Sequence, residues 1–392
     1  MSHPKNAVRK AIIIGAGIGG LSAAIALAQA GWDVEIYERA QALTGTGAGI
    51  VLAANAMRAL HKLHADQEVR RLGAPVRQAL IHSWNGSLLT RLPVEEQARR
   101  YGTYSYLIHR ADLQASLVHS IPPHRLHLSH GLVRWEQHNT HVTAVFDNGV
   151  VVTADVLVGA DGLHSSVRSQ LPFPSGKLRY SGYTALRGIT ELSRNRFSLA
   201  SGGGFEAWGS GKRFGLSAIG QGRYFWFAAI TSPEGTAPAA SERRQWALEH
   251  FNGWMKPIQE VIASTDPDVI LSHDIYDRPP LPGWSHGRVT LLGDAAHPML
   301  PNLGQGGAQA MEDALELARC LSQDNPDIPE ALKQYEGNRI SRTTKVVRHS
   351  RRMARMVQLT SPAGIFLRNT LLRLTPSSIT AQQLHWLLGY EP

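Results

Sequence analysis

A glycine-rich stretch near the start of the chain constrains the fold more than any other feature. Four apolar residues, Ala11–Ile14, lead directly into glycines spaced as GxGxxG, and a segment rich in Ala and Leu follows. This order is typical of a strand, a tight turn and a helix. Gly15 makes the turn, Gly17 lets the backbone approach a pyrophosphate, and Gly20 lets the helix pack against the sheet. The stretch therefore predicts a βαβ unit that binds a dinucleotide.

A carboxylate follows the second strand of this predicted unit. The stretch Val34–Tyr37 runs into Glu38, which lies 18 residues after Gly20. At that position a carboxylate can accept hydrogen bonds from the hydroxyls of a ribose. The helix that begins after the glycines adds free N–H groups and the positive end of a dipole, which favour phosphates.

The length and composition of the chain restrict its class. At 392 residues it exceeds the size at which one core usually keeps growing, which predicts two subdomains. No stretch approaches 18 uninterrupted apolar residues, and residues 2–10 are polar and basic, so neither a transmembrane segment nor a signal peptide is expected. The single cysteine, Cys320, excludes an internal disulfide and is typical of a reducing, cytoplasmic location.

The chain is basic, with a net charge of +9 at pH 7. Its basic residues are scattered except at Arg339–Arg355, a stretch with a helical pattern. We expect this cluster to be the solvated face of a helix, and a peripheral contact with a membrane surface or an anionic cofactor stays open. No nucleic-acid motif accompanies the cluster, so a nucleic-acid partner is not expected.

Two more apolar stretches end close to an acidic residue. One ends at Asp161, and the other, Val289–Leu292, ends two residues before Asp294. In open α/β sheets ligands bind at the carboxyl ends of the strands, so we expect both carboxylates at one edge of a sheet. The glycine-rich turn at 304–307 opens a long Ala/Leu-rich helix, whose N–H groups would face the same crevice.

Between these motifs the chain changes character. Residues 180–273 contain many aromatic residues and glycine turns, which favours antiparallel strands. The run YFWFAAI at 224–230 reads as a strand, so Phe225 and Trp226 would point to opposite faces of a sheet. One face of this sheet can line an apolar pocket while the other face packs in the hydrophobic core. The alternative is that both faces of the sheet belong to the core.

Together these motifs resemble those of a known family. The chain contains GxGxxG at 15–20, GADG at 159–162 and GDAAHPMLPNLGQGG at 293–307, in that order. It also contains HRADL at 109–113 and YTALRG at 183–188. This set resembles the single-component FAD-dependent aromatic hydroxylases of the p-hydroxybenzoate and salicylate hydroxylase type, the group A flavoprotein monooxygenases. The resemblance covers nearly the whole chain.

The resemblance implies FAD in the glycine-rich site. Glu38 would contact the adenosine ribose, Arg110 the phosphates or ribityl chain, and Asp294 the ribityl hydroxyls. Asp161 belongs to a fingerprint that family members share between the FAD and pyridine-nucleotide regions, and Pro298 would lie near the reacting edge of the flavin. No metal ligands are assigned. The expected cofactor-binding residues are Gly15, Gly17, Gly19, Gly20, Glu38, Arg39, Gly49, Arg110, Val133, Asp161, Asp294, Gly304, Gln305, Gly306 and Gly307.

The motifs and the resemblance also predict the domain organisation. The expected fold class is α/β (α+β overall), with a Rossmann-like FAD-binding domain, an inserted antiparallel-sheet substrate domain and a helical C-terminus. The segment 361–392 would pack on the FAD-binding domain, and the alternatives are that it contacts a membrane or a second subunit. The protein would be a monomer or a homodimer. The expected boundaries are 1–75, 101–176 and 274–360 for the FAD-binding domain and 76–100 and 177–273 for the substrate domain.

The chemistry of the family defines the expected reaction. NADH or NADPH would visit transiently, because no second Rossmann domain is visible in the sequence. The reduced flavin would react with O₂, and the resulting C4a-hydroperoxide would hydroxylate an aromatic or polycyclic small molecule. A helix N-terminus at 304–307 is a suitable partner for the negative charge of a reduced flavin. Because the hydroperoxide hydrolyses easily, the pocket should exclude water.

The sequence constrains the substrate less closely. Arg187 and Arg213 lie on the predicted substrate sheet and could hold a carboxylate or phenolate of the substrate. The alternative is that Arg187 is a structural residue of the sheet and that Arg213 is exposed. In related urate hydroxylases an asparagine and an arginine hold these positions, with a tyrosine 12 residues after the arginine. Here Phe225 stands there, which disfavours urate. The candidate catalytic residues are Arg187, Arg213 and Pro298, and the candidate substrate residues are Arg187, Arg213, Phe225 and Trp226.

Two other functions stay open at this stage. The same fold could epoxidise or oxidatively inactivate an apolar natural product or antibiotic. The non-enzyme alternative is a flavin-binding sensor module. Rapid reduction of the flavin by NADH or NADPH in the presence of a substrate would distinguish an enzyme from a sensor.

Overall fold

The computed structural model describes residues 8–43, 48–174, 176–191, 202–322 and 327–391. In chain order its strands are β1 (Lys10–Ile14), β2 (Asp33–Tyr37), β3 (Gly49–Leu52), β4 (Ala74–Pro75), β5 (Ala79–Ser83), β6 (Leu88–Arg91), β7 (Tyr106–His109), β8 (Leu126–His127), β9 (Leu132–Gln137), β10 (Val142–Phe146), β11 (Val151–Ala154), β12 (Val156–Gly159), β13 (Arg179–Glu191), β14 (Gly204–Trp208), β15 (Lys212–Ala218), β16 (Arg223–Thr231), β17 (Leu271–Asp277), β18 (Ser285–His286) and β19 (Val289–Leu291). The helices are α1 (Ile18–Gln29), α2 (Ala54–Lys62), α3 (Asp66–Leu72), α4 (Val94–Tyr101), α5 (Arg110–His119), α6 (Ser166–Ser169), α7 (Arg243–His250), α8 (Lys256–Ala263), α9 (Gly306–Leu321), α10 (Ile328–Val357), α11 (Pro362–Leu374) and α12 (Ser377–Leu388).

The glycine-rich stretch builds the centre of a six-stranded sheet. Its strand order is β18-β19-β12-β1-β2-β8, and neighbouring strands are parallel except β18 and β19. Ile12 and Ile13 of β1 point to opposite faces and are both fully buried, which explains why this strand is apolar throughout. The carboxyl ends of β1, β12 and β19 meet at one edge, as an open α/β sheet requires. The Rossmann-like fold class is confirmed.

Helix α1 packs tightly against the elements around it. A Cβ atom at Gly19 would lie 2.8 Å from the side chain of Leu292 and 3.1 Å from that of Ala310 on α9. A Cβ atom at Gly20 would lie 1.9 Å from the carbonyl oxygen of Gly15. Because the short contact at Gly20 is with backbone, this position excludes a larger residue, in agreement with its predicted packing role, whereas at Gly19 the side chain of Leu292 would have to shift.

The aromatic-rich region forms a second sheet of seven strands. Its order is β17-β13-β16-β15-β14-β5-β6, and its pairs are antiparallel except β14 and β5. Helices α7 and α8 cover one face, where Phe214, Trp226 and Phe251 belong to one buried cluster. The other face turns toward the first sheet, because Tyr183 and Ala185 pack with Leu300. Two smaller sheets, β11-β10-β9 and β3-β7-β4, complete the fold.

Trp226 lies on the face of the second sheet that the helices cover. The alternation predicted along β16 is observed, because Tyr224, Trp226 and Ala228 are buried in the cluster under α7 and α8. The side chain of Trp226 is fully buried, and its Nε1–H donates to Oγ1 of Thr265 at 2.8 Å. The prediction that Trp226 binds the substrate is therefore wrong. The alternation of side chains along a strand separates its two faces, but it does not show which face is buried in the hydrophobic core.

Helix α10 is joined to α9 by charged side chains that are completely buried. Arg339 donates to the carboxylates of Glu312 and Asp313, each at 2.7 Å, and none of the three side chains is accessible to solvent. Arg342 also donates to Glu312 at 2.7 Å. The expectation that the basic stretch 339–355 is a solvated helix face is therefore wrong for its first residue.

The two C-terminal helices pack on different parts of the molecule. Helix α12 lies against α2 and α10, where Arg58 and Arg342 donate to the carbonyl oxygens of Leu388 and Leu387 at 2.6 and 3.0 Å. These carbonyls belong to the end of the helix, which lacks intrahelical donors. Helix α11 packs instead against β6 of the second sheet. No helix within the described ranges is long and apolar enough to cross a membrane.

Replacing Arg339 should destabilise the fold strongly. Arg339→Met leaves the carboxylates of Glu312 and Asp313 buried without their cation, and breaking a buried ion pair in this way costs about 3–5 kcal/mol. Urea denaturation at neutral pH should show this decrease in the free energy of unfolding. Arg355→Met, an exposed position on the same helix, is the matched control and should change the value by less than about 0.5 kcal/mol. Equal stability of the two variants would contradict the structural role of the pair.

Candidate active site

A cavity of about 200 Å³ lies at the carboxyl ends of β1, β2 and β12. It brings together five of the residues predicted to bind the cofactor, although they come from three separate parts of the chain. Leu132 also lines this cavity, whereas its neighbour Val133 is 56% exposed. The five predicted residues in the lining are Gly15, Gly17, Glu38, Arg39 and Asp161.

Two glycines shape the wall of this cavity in different ways. Gly15 has a φ of +104°, and a Cβ atom there would lie 2.6 Å from the carbonyl oxygen of Ala160, so the turn requires glycine. At Gly17 no described atom lies within 4 Å of the place where a Cβ would be. Because Gly17 also precedes the first turn of α1, this free space can receive an anionic group at the helix N-terminus.

Glu38 is held in position by the backbone around it. One carboxylate oxygen accepts the N–H of Ala16 at 2.8 Å, and the other accepts the N–H of Ala40 at 2.9 Å. Each oxygen retains a lone pair for a further hydrogen bond. The carboxylate is therefore fixed at the end of β2 and can still accept a hydroxyl group of a ligand.

Asp161 leaves a buried acceptor unused. Its Oδ2 atom accepts the N–H groups of Ser166 and Val167 at the start of α6, at 2.7 and 3.2 Å. Its Oδ1 atom is buried and has no hydrogen-bond partner among the described residues. Burial raises the pKa of this carboxyl. A buried polar atom normally has a partner, so a donor group from a ligand fits this position.

A second group of predicted residues lies where α9 begins. Asp294 follows β19, and its carboxylate lies 3.8 Å from the position of a Cβ on Gly306. This carboxylate is accessible from the crevice but lies deep enough for burial to raise its pKa, with smaller opposing effects from His297 and Arg110. The N-terminus of α9 and the start of α5, where Arg110 lies, therefore share one crevice with Asp294.

The residues beside Asp294 differ in what they can offer a ligand. The side chain of Gln305 is buried, and its Oε1 atom accepts from Asn55 at 2.9 Å, so its backbone alone remains for a cofactor. Gly304 is in the left-handed conformation with φ +61°, and a Cβ on Gly307 would lie 3.1 Å from Ile50 of β3. Pro298 is buried in the loop that leads to this turn.

His297 is part of the scaffold under this loop. Its Nε2 atom lies 2.6 Å from Oδ2 of Asp313, and the side chain is buried. Burial raises the pKa of Asp313, but the charges of His297 and Arg339 outweigh this effect and hold the pKa at about 2. Asp313 is therefore a permanent anion at neutral pH, and it also accepts the N–H of Gly293 at 3.0 Å.

The pocket-facing side of the second sheet carries Arg187. Strand pairing places Arg187 of β13, Phe227 of β16 and Gly215 of β15 in one row across the sheet, on the face opposite to Trp226. Phe225 lies on the same face, and a Cβ atom on Gly49 would lie 2.5 Å from its ring. The second sheet thus meets strand β3 at Phe225 and leaves Arg187 beside that contact.

Arg187 lacks a charge partner. It forms no ion pair or hydrogen bond with any residue that the structure describes. Burial lowers the pKa of its guanidinium, Tyr183 opposes this effect, and Arg110 adds a smaller effect in the same direction as burial. Two cations near each other are unfavourable unless an anion lies between or beside them. This arrangement favours a negatively charged ligand.

Arg213, the second predicted arginine, is already paired. It donates to Glu206 through two nitrogens, one of them at 2.7 Å, and its guanidinium lies 4.9 Å from the centre of the Phe227 ring. A bidentate pair of this kind satisfies the charge of the arginine. The two arginines therefore differ, and Arg187 is the better candidate for holding a free anion.

Sequence reasoning did not single out Tyr183 and Glu206. Tyr183 lies on the same face of β13 as Arg187, and its hydroxyl donates to Oδ1 of Asn302 at 2.9 Å, which joins the sheet to the loop before α9. Burial raises the pKa of Tyr183 to about 12, so the hydroxyl stays protonated at neutral pH. The sequence did contain an indication that Tyr183 lies beside Arg187. Tyr183 is four residues before Arg187, and the period of two along a strand places both side chains on one face.

Comparisons with known proteins agree with this geometry. A family model described as FAD binding domain matches residues 9–350. The aurachin C monooxygenase/isomerase of Stigmatella aurantiaca is 39% identical over 97% of this chain and 98% of its own length. The 3-amino-4-hydroxybenzoate 2-monooxygenase of Streptomyces cremeus is 34% identical over 96% of this chain and 94% of its own length.

A solved structure shows the same arrangement of elements. The crystal structure of Klebsiella pneumoniae HpxO complexed with FAD and uric acid has a TM-score of 0.90 and is 31% identical in sequence. The match covers 96% of this chain and 95% of that chain. The similarity therefore extends over almost the full length of both chains.

Removing the carboxylate of Asp294 should weaken FAD binding. Asp294→Ala deletes an anionic acceptor, and a hydrogen bond to a charged group is worth about 1.5–3 kcal/mol, which corresponds to about a tenfold to hundredfold rise in the dissociation constant. The ratio of flavin to protein absorbance and a fluorescence titration with FAD would measure it. Asp268→Ala, at an exposed position outside the crevice, is the control. Full FAD content in the Asp294 variant would contradict the assignment.

Proposed function

The chain belongs to the FAD-dependent monooxygenases of the FAD-binding-domain family, and on this premise we propose that it hydroxylates an aromatic or polycyclic molecule that carries an acidic group. FAD is its cofactor, and when bound it takes electrons from NADH or NADPH and activates O₂. The family assignment makes the chain an enzyme, so the sensor alternative is no longer needed.

The crevice residues are suited to hold this cofactor along its length. We expect Glu38 and Asp161 to accept hydrogen bonds at the adenosine end, since one is fixed by backbone N–H groups and the other has a buried acceptor without a partner. Gly17 leaves space for the pyrophosphate at the start of α1. Asp294 and the N-terminus of α9 would hold the ribityl chain and stabilise negative charge on the ring system.

The unpaired charge of Arg187 is the observation that carries the substrate class. A partly buried guanidinium without a counter-ion among the described residues costs free energy, and a substrate carboxylate or phenolate would reduce that cost. Arg187 would thereby bind and orient the substrate. Phe225 and Phe227, on the same face of β16, would pack against an aromatic ring and exclude water from the reacting atoms.

A second candidate is epoxidation or oxidative inactivation of an apolar natural product by the same fold. The identity of 39% to the aurachin C monooxygenase/isomerase over almost the full length of both chains favours it. Under this alternative the substrate would bring no anionic group to Arg187.

A panel of compounds separates these candidates. The purified FAD-loaded protein is mixed with NADH or NADPH and with aromatic acids, quinolones or antibiotics, and nicotinamide oxidation is followed together with product mass. Stimulated oxidation with a product heavier by one oxygen atom from an aromatic acid supports the main proposal. The same result confined to neutral apolar compounds supports the second candidate and contradicts the first.

Arg187→Met should raise the KM for an acidic substrate while changing kcat less. Losing a charge-assisted hydrogen bond corresponds to about a tenfold to hundredfold increase in KM, and a neutral amide analogue should be affected less. Steady-state kinetics on the compound that the panel identifies would measure both constants. Arg99→Met, an exposed position on α4, is the control. An unchanged KM for the acid would show that Arg187 is structural.

A further inference from the structure

Helix α11 exposes a continuous apolar face. With 100° between successive residues, six residues on the outer side of α11 span an arc of about 140°, and Arg373, which is also exposed, lies about 20° beyond one edge of this arc. Four of the six are large and apolar, with exposed fractions between 56% and 74%. Six residues make up this outer face: Ala363, Phe366, Leu367, Thr370, Leu371 and Leu374.

The inner face anchors α11 to the rest of the protein. Leu372 packs with Trp208 and Val357 in a buried cluster. Arg368 is buried, and its guanidinium donates to the carbonyl oxygen of Val357 at 3.2 Å and lies 5.4 Å from the centre of the Trp208 ring. The outer face is therefore held outward by specific contacts and is not the loose side of a frayed helix.

The segment that carries α11 has only positive charges. Residues 337–390 contain nine Lys or Arg residues and no Asp or Glu. Arg339, Arg342, Arg351 and Arg368 are engaged within the protein. Lys345 is exposed but lies 4.2 Å from the centre of the Trp386 ring. The other four are Arg348, Arg352, Arg355 and Arg373, and the first three lie along one side of α10 at spacings of three or four residues and are exposed.

We infer that the outer face of α11 docks on the surface of an anionic lipid bilayer. A helix with a broad apolar face and adjacent cations lies in the plane of the interface, with its apolar side among the acyl chains and its cations at the headgroups. Phe366, Leu371 and Leu374 enter the interface, and the exposed cations of α10 and Arg373 attract anionic headgroups.

The charge of the segment selects a lipid surface over a second copy of this chain. A symmetric contact through the outer face would bring two segments without acidic residues against each other, and like charges repel at such an interface. An anionic bilayer provides both an apolar phase and the opposite charge. An anionic lipid surface therefore matches both the apolar outer face of α11 and the positive charge of the segment.

The proposed contact also places the second sheet next to the membrane. Helix α11 packs on β6, the edge strand of that sheet. Trp208, which Arg368 covers, donates its Nε1–H to Glu206 at 2.8 Å, and Glu206 pairs with Arg213 on the pocket-facing side. This inference does not depend on the proposed substrate, because it concerns where the protein lies and not what it oxidises.

Vesicle sedimentation tests the inference on the FAD-loaded protein without substrate. We expect the wild type to sediment with vesicles that contain phosphatidylglycerol and phosphatidylcholine, and to bind vesicles of phosphatidylcholine alone at least about tenfold more weakly. The triple variant Phe366→Ser, Leu371→Ser, Leu374→Ser should bind the anionic vesicles at least about tenfold more weakly than the wild type. High salt should weaken binding of the wild type.

A matched control uses apolar residues that are exposed elsewhere. The double variant Val151→Ser, Val269→Ser removes two such side chains, 60% and 48% exposed, and should bind vesicles as the wild type does. The flavin content of every variant reports that it is folded. Failure of the wild type to bind anionic vesicles, or equal binding by the triple variant, overturns the inference. A wild-type dimer in sedimentation velocity that the triple variant abolishes, without vesicle binding, assigns the face to a second copy and also overturns it.

Discussion

The buried contact between α9 and α10 is the interaction on which the active site depends most. Arg339 neutralises the carboxylates of Glu312 and Asp313 in a region without solvent, where an unpaired charge would be very unfavourable. Asp313 also accepts hydrogen bonds from Gly293 and His297, the residues on either side of Asp294. One carboxylate therefore holds α10, the body of α9 and the loop that carries Asp294 in a single arrangement. The N-terminus of α9 can stabilise charge on a flavin only because this scaffold fixes its direction.

The site arises where two sheets of different design meet. The first sheet contributes the carboxyl ends of parallel strands, with fixed carboxylates and free N–H groups that suit a dinucleotide. The second sheet contributes aromatic rings and one guanidinium without a partner among the described residues, which suit a flat anionic substrate. The close approach of Phe225 to Gly49, and the hydrogen bond from Tyr183 to Asn302, join the two at the edge of the crevice. Under the proposed function, cofactor recognition and substrate recognition are carried by separate architectures, so the substrate face can change while the cofactor site is kept.

Most of the cofactor side of this arrangement could be predicted from the sequence. Gly15, Gly17, Glu38 and Asp161 follow local rules, because each stands at a fixed offset from an apolar strand, and the structure brings them together in one cavity. The substrate side could not be predicted as well. Trp226 and Phe225 are equally aromatic and adjacent, and only the position of α7 and α8 decides that the first is core. Arg187 and Arg213 are both arginines on one face, and only strand pairing brings Glu206 to the second.

The sequence by itself determined the fold class, the dinucleotide site and the family, because these depend on short patterns whose residues act within one strand, turn or helix. Tertiary structure decided which arginine keeps a free charge, which aromatic face lines the pocket, and which cations of the basic segment are buried. These properties depend on partners that are distant in the chain, as Arg339 and Glu312 show, or on a strand register that the pattern leaves open. The charge of a residue can be read from the sequence, but its counter-ion is known only when the chain has folded.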